Sequence, residues 1–422
     1  MAIMKTNEQK YRWLSNRLLN VGAPRLIVIT GARQTGKTTL VKDYYPDLQY
    51  FNLDIIEERE ALSGLRTRAW ASTVGNAIID EAQKAPQVFE KVKWAFDEKK
   101  IKFSVLTGSS RILLLKKVRE TMAGRAFLFD LWPIMASELR SQECQPPEFP
   151  LIHRMITVDE RCDSILGNEP VVLLGHELEK RQEAIEHLMQ WGGMPGLLPL
   201  SDVERHEWLR SYHQTFLERD LADLVRLRDL SPFRKLQQLA MRRSGKLLSF
   251  SELARDAGIA VNTARRFIEY LKISYQTILL QPWYRNLTSQ VVKSPKLYWL
   301  DIGLLRQGTG QWGEMSGEIF ETLVIGEIFK WVKTMSQDTG IYYYRTRSGM
   351  EVDLILETAK GFIGMEIKKR STVSAVDTRS LRSIADRLGS EWCCGMVIYN
   401  GTELKQLNDS PSIWAVPFYR LV

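Results

Sequence analysis

Gly31-Ala32-Arg33-Gln34-Thr35-Gly36-Lys37-Thr38 has the spacing G-x-x-x-x-G-K-[ST]. Glycines at such positions let a loop turn its backbone N–H groups toward a polyphosphate, and a helix starting there adds positive potential. Lys37 offers a cation to the outer phosphates, and the Thr38 hydroxyl offers a ligand for Mg²⁺. The expected nucleotide-binding residues are therefore Gly31, Ala32, Arg33, Gln34, Thr35, Gly36, Lys37, Thr38 and Thr39. ATP and Mg²⁺ are the expected cofactors. The apolar run Leu26-Ile27-Val28-Ile29 ahead of the loop reads as a buried strand, and Thr39-Leu40-Val41-Lys42 after it reads as a first helical turn. That context argues against a chance match.

Hydrolysis also needs a carboxylate for the metal and a base for water. Ala77-Ile78-Ile79-Asp80-Glu81 places two acids at the end of an apolar strand. Asp80 is expected to hold Mg²⁺ and Glu81 to deprotonate the attacking water. The plainer alternative is an acidic strand exit. Val105-Leu106-Thr107-Gly108-Ser109-Ser110 reads as a further buried strand, expected between the loop strand and the carboxylate strand. Ser109 is the leading candidate to sense the γ-phosphate or the lytic water, ahead of Thr107 and Ser110. Ordinary strand-end hydrogen bonding would account equally well for any one of them. Arg125 stands in Met122-Ala123-Gly124-Arg125-Ala126-Phe127. It could act on a neighbouring subunit's γ-phosphate, a role worth ~10³–10⁵ in rate where it occurs, or be a salt-bridged surface arginine. An arginine acting in trans requires a homo-oligomer.

The elements that must position these groups follow from hydrophobic patterning. Residues 1–20 read as an amphipathic lead-in helix with Tyr11, Trp13, Leu14, Leu18 and Leu19 on its apolar side. From about 25 to 135, apolar runs (Leu26–Ile29, Tyr50–Leu53, Ala77–Ile79, Phe103–Leu106) alternate with helical stretches, the signature of a parallel α/β sheet. The pattern breaks around Gln145–Pro150. Residues 175–240 read as mostly helical, interrupted at Gly192–Gly196. Ser251–Ala257, a turn at Gly258 and Val261–Leu271 have the layout of a helix-turn-helix. Strands near Thr277–Leu280 and Lys296–Leu300 would supply a wing. A helix over Glu318–Met335 then precedes strands at Tyr342–Tyr344, Val352–Leu356 and Phe362–Lys368.

Several blocks resemble the AAA-type P-loop ATPases of bacteria and archaea in which the ATPase is followed by an uncharacterised domain. The N-terminal ones are Gly31–Thr38, Ile78–Pro86, Leu106–Ser109 and Ala123–Arg125. The resemblance continues through Gly192–Pro195, Phe216–Asp220, Ser294–Tyr298 and Asp301–Leu304, and so covers nearly the whole chain. It implies an α/β fold class: a P-loop NTPase parallel sheet, a mostly helical winged-helix middle and a restriction-endonuclease-like α/β end. The expected bounds are 1–150 for the ATPase, 151–245 for a helical linker, 246–310 for the winged helix and 311–422 for the nuclease-like domain.

Restriction-type nucleases set a carboxylate on one strand against a carboxylate and a lysine alternating on the next. Asp353 lies in Met350–Leu356, and Glu366 and Lys368 lie in Gly364–Lys369. A period of two puts Glu366 and Lys368 on one face, and a hairpin turning at Ala359-Lys360-Gly361 would set Asp353 beside them. Asp353 and Glu366 would hold a divalent metal, and Lys368 would stabilise developing charge. Glu321 matches the helix glutamate such nucleases often add, with Glu318 and Glu327 as alternatives. Alternation of polar and apolar residues is also what any half-exposed strand shows.

The chain has 422 residues, enough for several domains of ~100–200 residues. Its net charge of +8 is a weak pointer to an acidic partner. Asn262, Arg265 and Arg266 on the second helix, with Arg226, Arg228, Arg234, Lys235, Arg242, Arg243 and Lys246 upstream, make DNA the expected partner. Solvated basic faces and protein-binding winged helices are the competing readings. Cys144, Cys162, Cys393 and Cys394 form no C-x-x-C pair, so neither a zinc site nor a disulfide framework is expected. No apolar run approaches the ~20 residues of a membrane span, and the expected location is cytoplasmic.

Overall fold

The computed structural model describes residues 9–109, 120, 122, 124–142, 145–224, 229–284, 294–336 and 338–422, with backbone alone at 216–224. Ser110, Ala123, Cys144, Arg226 and Arg228 lie outside the described residues, as do the side chains of the Phe216–Asp220 block.

The four apolar runs expected as strands are β1 (Arg25–Thr30), β2 (Gln49–Asn52), β3 (Ala77–Asp80) and β4 (Phe103–Gly108). A fifth strand, β5 (Ala126–Asp130), was not legible because Phe127 and Leu128 are exposed on a sheet edge. All pair in parallel, in the order β2-β3-β4-β1-β5. As expected, β4 separates β1 from β3. Both faces are buried at β1, β3 and β4, which explains their unbroken apolar runs. Leu26, Val28, Ala77, Ile79 and Leu106 enter one core. Ile27, Ile29, Ile78, Phe103 and Val105 enter the other.

The lead-in is a correction. Among residues 9–20 only a 3-10 turn forms, Trp13–Arg17. Trp13 is buried, its backbone N–H donates to Glu138 at 2.8 Å, and its indole N–H donates to Ser137 at 3.0 Å. These long-range contacts fix the segment against the N-terminal α/β domain, and Leu18 leaves it in an extended conformation.

The middle is helical, with Leu151–Thr157, His176–Trp191, Asp202–Leu224 and Ser231–Met241. The expected two-helix unit is Phe250–Ala257 and Val261–Ile273, with Gly258 in the left-handed conformation between them (φ 73°). Strands β6 (Lys246–Leu247), β7 (Thr277–Pro282) and β8 (Lys296–Trp299) follow it in space and pair antiparallel. Helix Ile302–Thr309 and the long helix Gly317–Met335 lead to β9 (Gly340–Arg345), β10 (Glu351–Thr358), β11 (Gly361–Lys368), β12 (Trp392–Tyr399), β13 (Lys405–Asn408) and β14 (Ile413–Pro417). Among the described residues these strands form one nine-stranded sheet, β13-β14-β12-β11-β10-β9-β7-β8-β6. It therefore runs across residue 310. The seam is parallel pairing of Gln281 with Tyr342 and Pro282 with Tyr343, extended by a Trp283 N–H to Tyr343 carbonyl bond of 2.7 Å.

Blocks remote in sequence meet at Gly192-Gly193. Gly193 N–H donates to buried Asp301 at 2.8 Å, and Ile134 N–H donates to the Gly193 carbonyl at 2.7 Å. A Cβ on Gly192 would lie 2.3 Å from Asp301 Oδ1, and one on Gly193 would lie 2.3 Å from the Ile134 carbonyl, so only glycines admit this packing. No helix among the described residues is long and apolar enough to cross a membrane.

Candidate functional site

The loop between β1 and helix Lys37–Tyr44 closes tightly on itself. A Cβ at Gly31 would sit 2.3 Å from the Leu131 carbonyl oxygen. Gln34 (φ 61°) and Gly36 (φ 91°) are both left-handed. The buried Lys37 ammonium donates to the carbonyls of Gly31 at 3.0 Å and Ala32 at 2.8 Å. Thr35 Oγ1 donates to Ala32 at 2.9 Å. Arg12, which the sequence did not single out, supports the loop from behind. It donates to the Thr35 carbonyl at 2.7 Å, the Trp132 carbonyl at 2.5 Å and Glu138 at 3.1 Å.

Asp80 is the hub of the site. Its carboxylate accepts hydrogen bonds from Thr38 Oγ1 at 2.6 Å, Tyr50 Oη at 2.8 Å, the Glu81 N–H at 3.0 Å and the Thr107 hydroxyl. Thr107, ranked behind Ser109, is thus an Asp80 partner, and Tyr50 is a member the sequence did not mark. Glu81 takes φ 52°, a conformation that costs a non-glycine residue of order 1–3 kcal/mol. Its carboxylate shares none of the Asp80 donors and accepts from Gln83 Nε2 and from Ser109 Oγ at 3.4 Å.

Beside Gly36 opens a cleft of about 940 Å³. Lys10, Tyr11 and Ser15 of the N-terminal segment, Thr39 and Leu40 of the following helix, and Pro195 and Leu198 after the Gly192-Gly193 pair line it. With Ile134 it is assembled from four distant segments, so no local pattern announces it.

Thr30, immediately ahead of the loop, is held from the two-helix unit. Its hydroxyl donates to Asp130 at 2.7 Å, and buried Tyr275 donates to the same oxygen at 2.5 Å. The Thr30 and Tyr275 hydroxyl oxygens are 2.5 Å apart. Tyr275 reaches them from a left-handed turn (φ 61°) after helix Val261–Ile273.

Arg125 is not brought to the loop. Leu26 pairs with Ala126 in the parallel β1–β5 register, so Arg125 sits at the end of the sheet away from Gly31. It is exposed and paired to Asp97 at 2.7 Å. Arg234, Lys235, Arg242, Lys246, Asn262, Arg265 and Arg266 are all exposed, and Arg243 is ion-paired with Asp256.

In the C-terminal sheet, the expected hairpin pairs β10 with β11 and Thr358 with Gly361. Lys368 Nζ lies 2.8 Å from Glu366 and 4.0 Å from Asp353 Oδ2. Asp353 Oδ2 also accepts the Ile367 N–H at 2.8 Å. Glu321 does not close directly on this set. Lys296, from β8, stands between: its buried ammonium is 3.0 Å from Glu321, 3.8 Å from Asp353 Oδ1, and in contact with Glu351. Tyr298 Oη donates to Glu321 at 2.6 Å. Among the described residues no group of three metal-ligating side chains converges on one point. The expected metal set Asp353, Glu366 and Glu321 thus does not fit a shared ion in this arrangement, because an ammonium separates its members. Glu327 is elsewhere, fully buried, ion-paired with Lys330 and accepting the Ala136 N–H at 2.7 Å. Burial, then Asp353, pushes the Glu366 carboxyl up to about 8 and the Glu321 carboxyl up to about 7.

Residues 23–140 match a family model described as an AAA domain. Residues 182–311 and 316–421 match two models each described as a domain of unknown function. Uncharacterized proteins of Mycobacterium tuberculosis and Mycobacterium bovis are each 28% identical over 373 residues, covering 85% of this chain and 73% of theirs. Among solved structures, a Walker-type ATPase of Pyrococcus abyssi superposes with a TM-score of 0.42 at 12% identity, over 73% of this chain and 99% of that one. The ADP form of an Aeropyrum pernix ORC2 protein gives a TM-score of 0.30 at 12% identity, over 63% of this chain and 84% of that one. The loop, the parallel sheet and the family match agree on the fold: the N-terminal part of the chain is a P-loop α/β domain similar to AAA domains, followed by a helical region and a C-terminal α/β sheet domain.

Proposed function

We propose that the chain hydrolyses ATP to ADP and phosphate with Mg²⁺, and that the cycle controls a nucleic-acid-directed C-terminal module. The observation that carries the hydrolysis is the meeting of Thr38 and Asp80 at 2.6 Å, with Glu81 turned out beside them near Ser109. A hydroxyl and a carboxylate at the exit of a loop too tight for a Cβ fit a nucleotide-bound Mg²⁺, which would be held by Thr38 and Asp80. Bound there, the ion would neutralise phosphate charge. Lys37 would turn from the loop carbonyls to the outer phosphates. Glu81 would take the proton of the attacking water, and Ser109 would help position that water. The cleft beside Gly36 is where the rest of the nucleotide would lie. Arg125 faces away from its own loop and is paired with Asp97, so a role on the γ-phosphate of a neighbouring copy in a homo-oligomer would require that pair to open.

DNA is the proposed partner, through the exposed Asn262, Arg265 and Arg266. ATP turnover is expected to rise with duplex DNA at low salt and to lose that stimulation at high salt, while Lys37→Ala stays at background throughout. Turnover indifferent to DNA, with no salt-sensitive binding, would point to a protein partner instead.

The set Asp353, Glu366 and Lys368 matches that of a metal-dependent nuclease, and an active nuclease would nick plasmid DNA with Mg²⁺. One observation favours a module that binds without cutting: Lys296 sits among the carboxylates. Wild type and Asp353→Ala should then nick plasmid equally little. Nicking by wild type that Asp353→Ala abolishes would restore the nuclease.

A further inference from the structure

We propose that Lys296 is the built-in counter-cation of the C-terminal carboxylate cluster, and that a divalent metal ion can occupy the cluster only when this ammonium is removed. The proposal deepens the reading of a module that binds without cutting.

The cluster is an alternating chain of carboxyl groups and ammoniums. Glu321 and Glu351 contact Lys296, which faces Asp353 Oδ1 at 3.8 Å. Asp353 Oδ2 faces Lys368 at 4.0 Å, and Lys368 is 2.8 Å from Glu366. Asp353 is therefore flanked by an ammonium at each oxygen. An ion drawn to Asp353 and Glu321 would have to take the place of Lys296 Nζ, because both cannot sit within contact distance of the same two carboxylates. It would also meet Lys368 on the far side, and like charges at such separations repel strongly where water is excluded.

Lys296 is firmly placed. It is 3% exposed, and its strand pairs on both sides, with β6 and β7. Burial opposes its charge, but Glu321, Asp353 and Glu351 outweigh that and hold its pKa above the ordinary lysine value. The residue that neutralises the cluster thus comes from the strands packed with the two-helix unit, not from the hairpin that bears Asp353 and Glu366. At the far end of the cluster Glu366 is 5% exposed and has Lys368 and Ser380 as its side-chain partners, so that end is closed by the chain's own groups as well.

The test is Mn²⁺ binding, followed by electron paramagnetic resonance, to the nucleotide-free full chain. Wild type, Asp353→Asn, Lys296→Met and the double variant are compared, with circular dichroism to check folding. Wild type and Asp353→Asn should bind Mn²⁺ alike. Lys296→Met should gain one Mn²⁺ equivalent that the double variant loses. An Asp353-dependent Mn²⁺ site in the wild-type chain overturns the proposal, and that comparison stands even if Lys296→Met does not fold. A folded Lys296→Met chain that binds no more Mn²⁺ than wild type overturns it as well. Neither ATP turnover nor DNA cleavage enters the measurement, so its failure is separable from failure of the functional reading.

Discussion

Asp80 and Glu81 are adjacent in sequence but have unlike surroundings, and that difference fits the roles proposed for them. Asp80 is buried under four donors and stays fixed; Glu81 leaves the strand through a left-handed residue and faces a serine and a glutamine. Their identity was legible because it rests on local spacing, a strand followed by two acids. The left-handed turn was not, since nothing in the residue type of Glu81 favours it. Arg12 was equally invisible, because its partners Thr35, Trp132 and Glu138 are distant in sequence. Arg12→Ala should destabilise the chain by about 3–5 kcal/mol by stranding the buried Glu138 carboxylate. It should also raise the KM for ATP, because the loop loses its support at Thr35. Thermal unfolding and steady-state kinetics check both effects, and Arg12→Lys should restore the charge but not the three-way geometry.

At the scale of elements, the hairpin β10–β11 concentrates its charges under cover. The raised Glu366 and Glu321 carboxyls give the pH dependence a definite sign. Folded, these groups keep protons that the unfolded chain, with an ordinary value of 4.5, releases. Their contribution is therefore most favourable below about pH 4.5 and is lost as pH rises through about 7 to 8. Urea unfolding midpoints should reveal a decline over that window that is shallower in Glu366→Gln. The hairpin and its alternating face were readable from period-two patterning and from Gly361. The insertion of Lys296 was not, because β8 reaches the cluster only through the folded sheet. A second element-scale prediction concerns Tyr275. Tyr275→Phe removes one donor to Asp130 at the root of the phosphate loop, costing ~1–3 kcal/mol. If this contact couples the two-helix unit to the loop, the variant should keep basal ATP turnover and lose its response to DNA.

At the scale of the whole molecule, helix Gly317–Met335 spans the distance between the two sites. Glu321 near its start contacts Lys296, while Lys330 further along donates to the Ile134 carbonyl at 3.2 Å. Ile134 is bonded to Gly193, and the neighbouring Trp132 carbonyl accepts from Arg12 behind the loop. The parallel N-terminal sheet was legible because its central strands β1, β3 and β4 are buried on both faces and read as apolar runs. The nine-stranded sheet was not, because its seam joins Gln281-Pro282 to Tyr342-Tyr343 through only a short stretch of pairing. Sequence patterning detects strands far better than it detects which strands become neighbours.

The central claim is that this loop and its two acids hydrolyse ATP. Phosphate release by wild type and Glu81→Gln, with ATP binding measured in parallel, tests it most directly. ATP should bind both chains with similar affinity, and turnover should fall by ~10²–10⁴ in Glu81→Gln. Wild-type turnover in a Glu81→Gln chain that binds ATP normally would contradict the assignment.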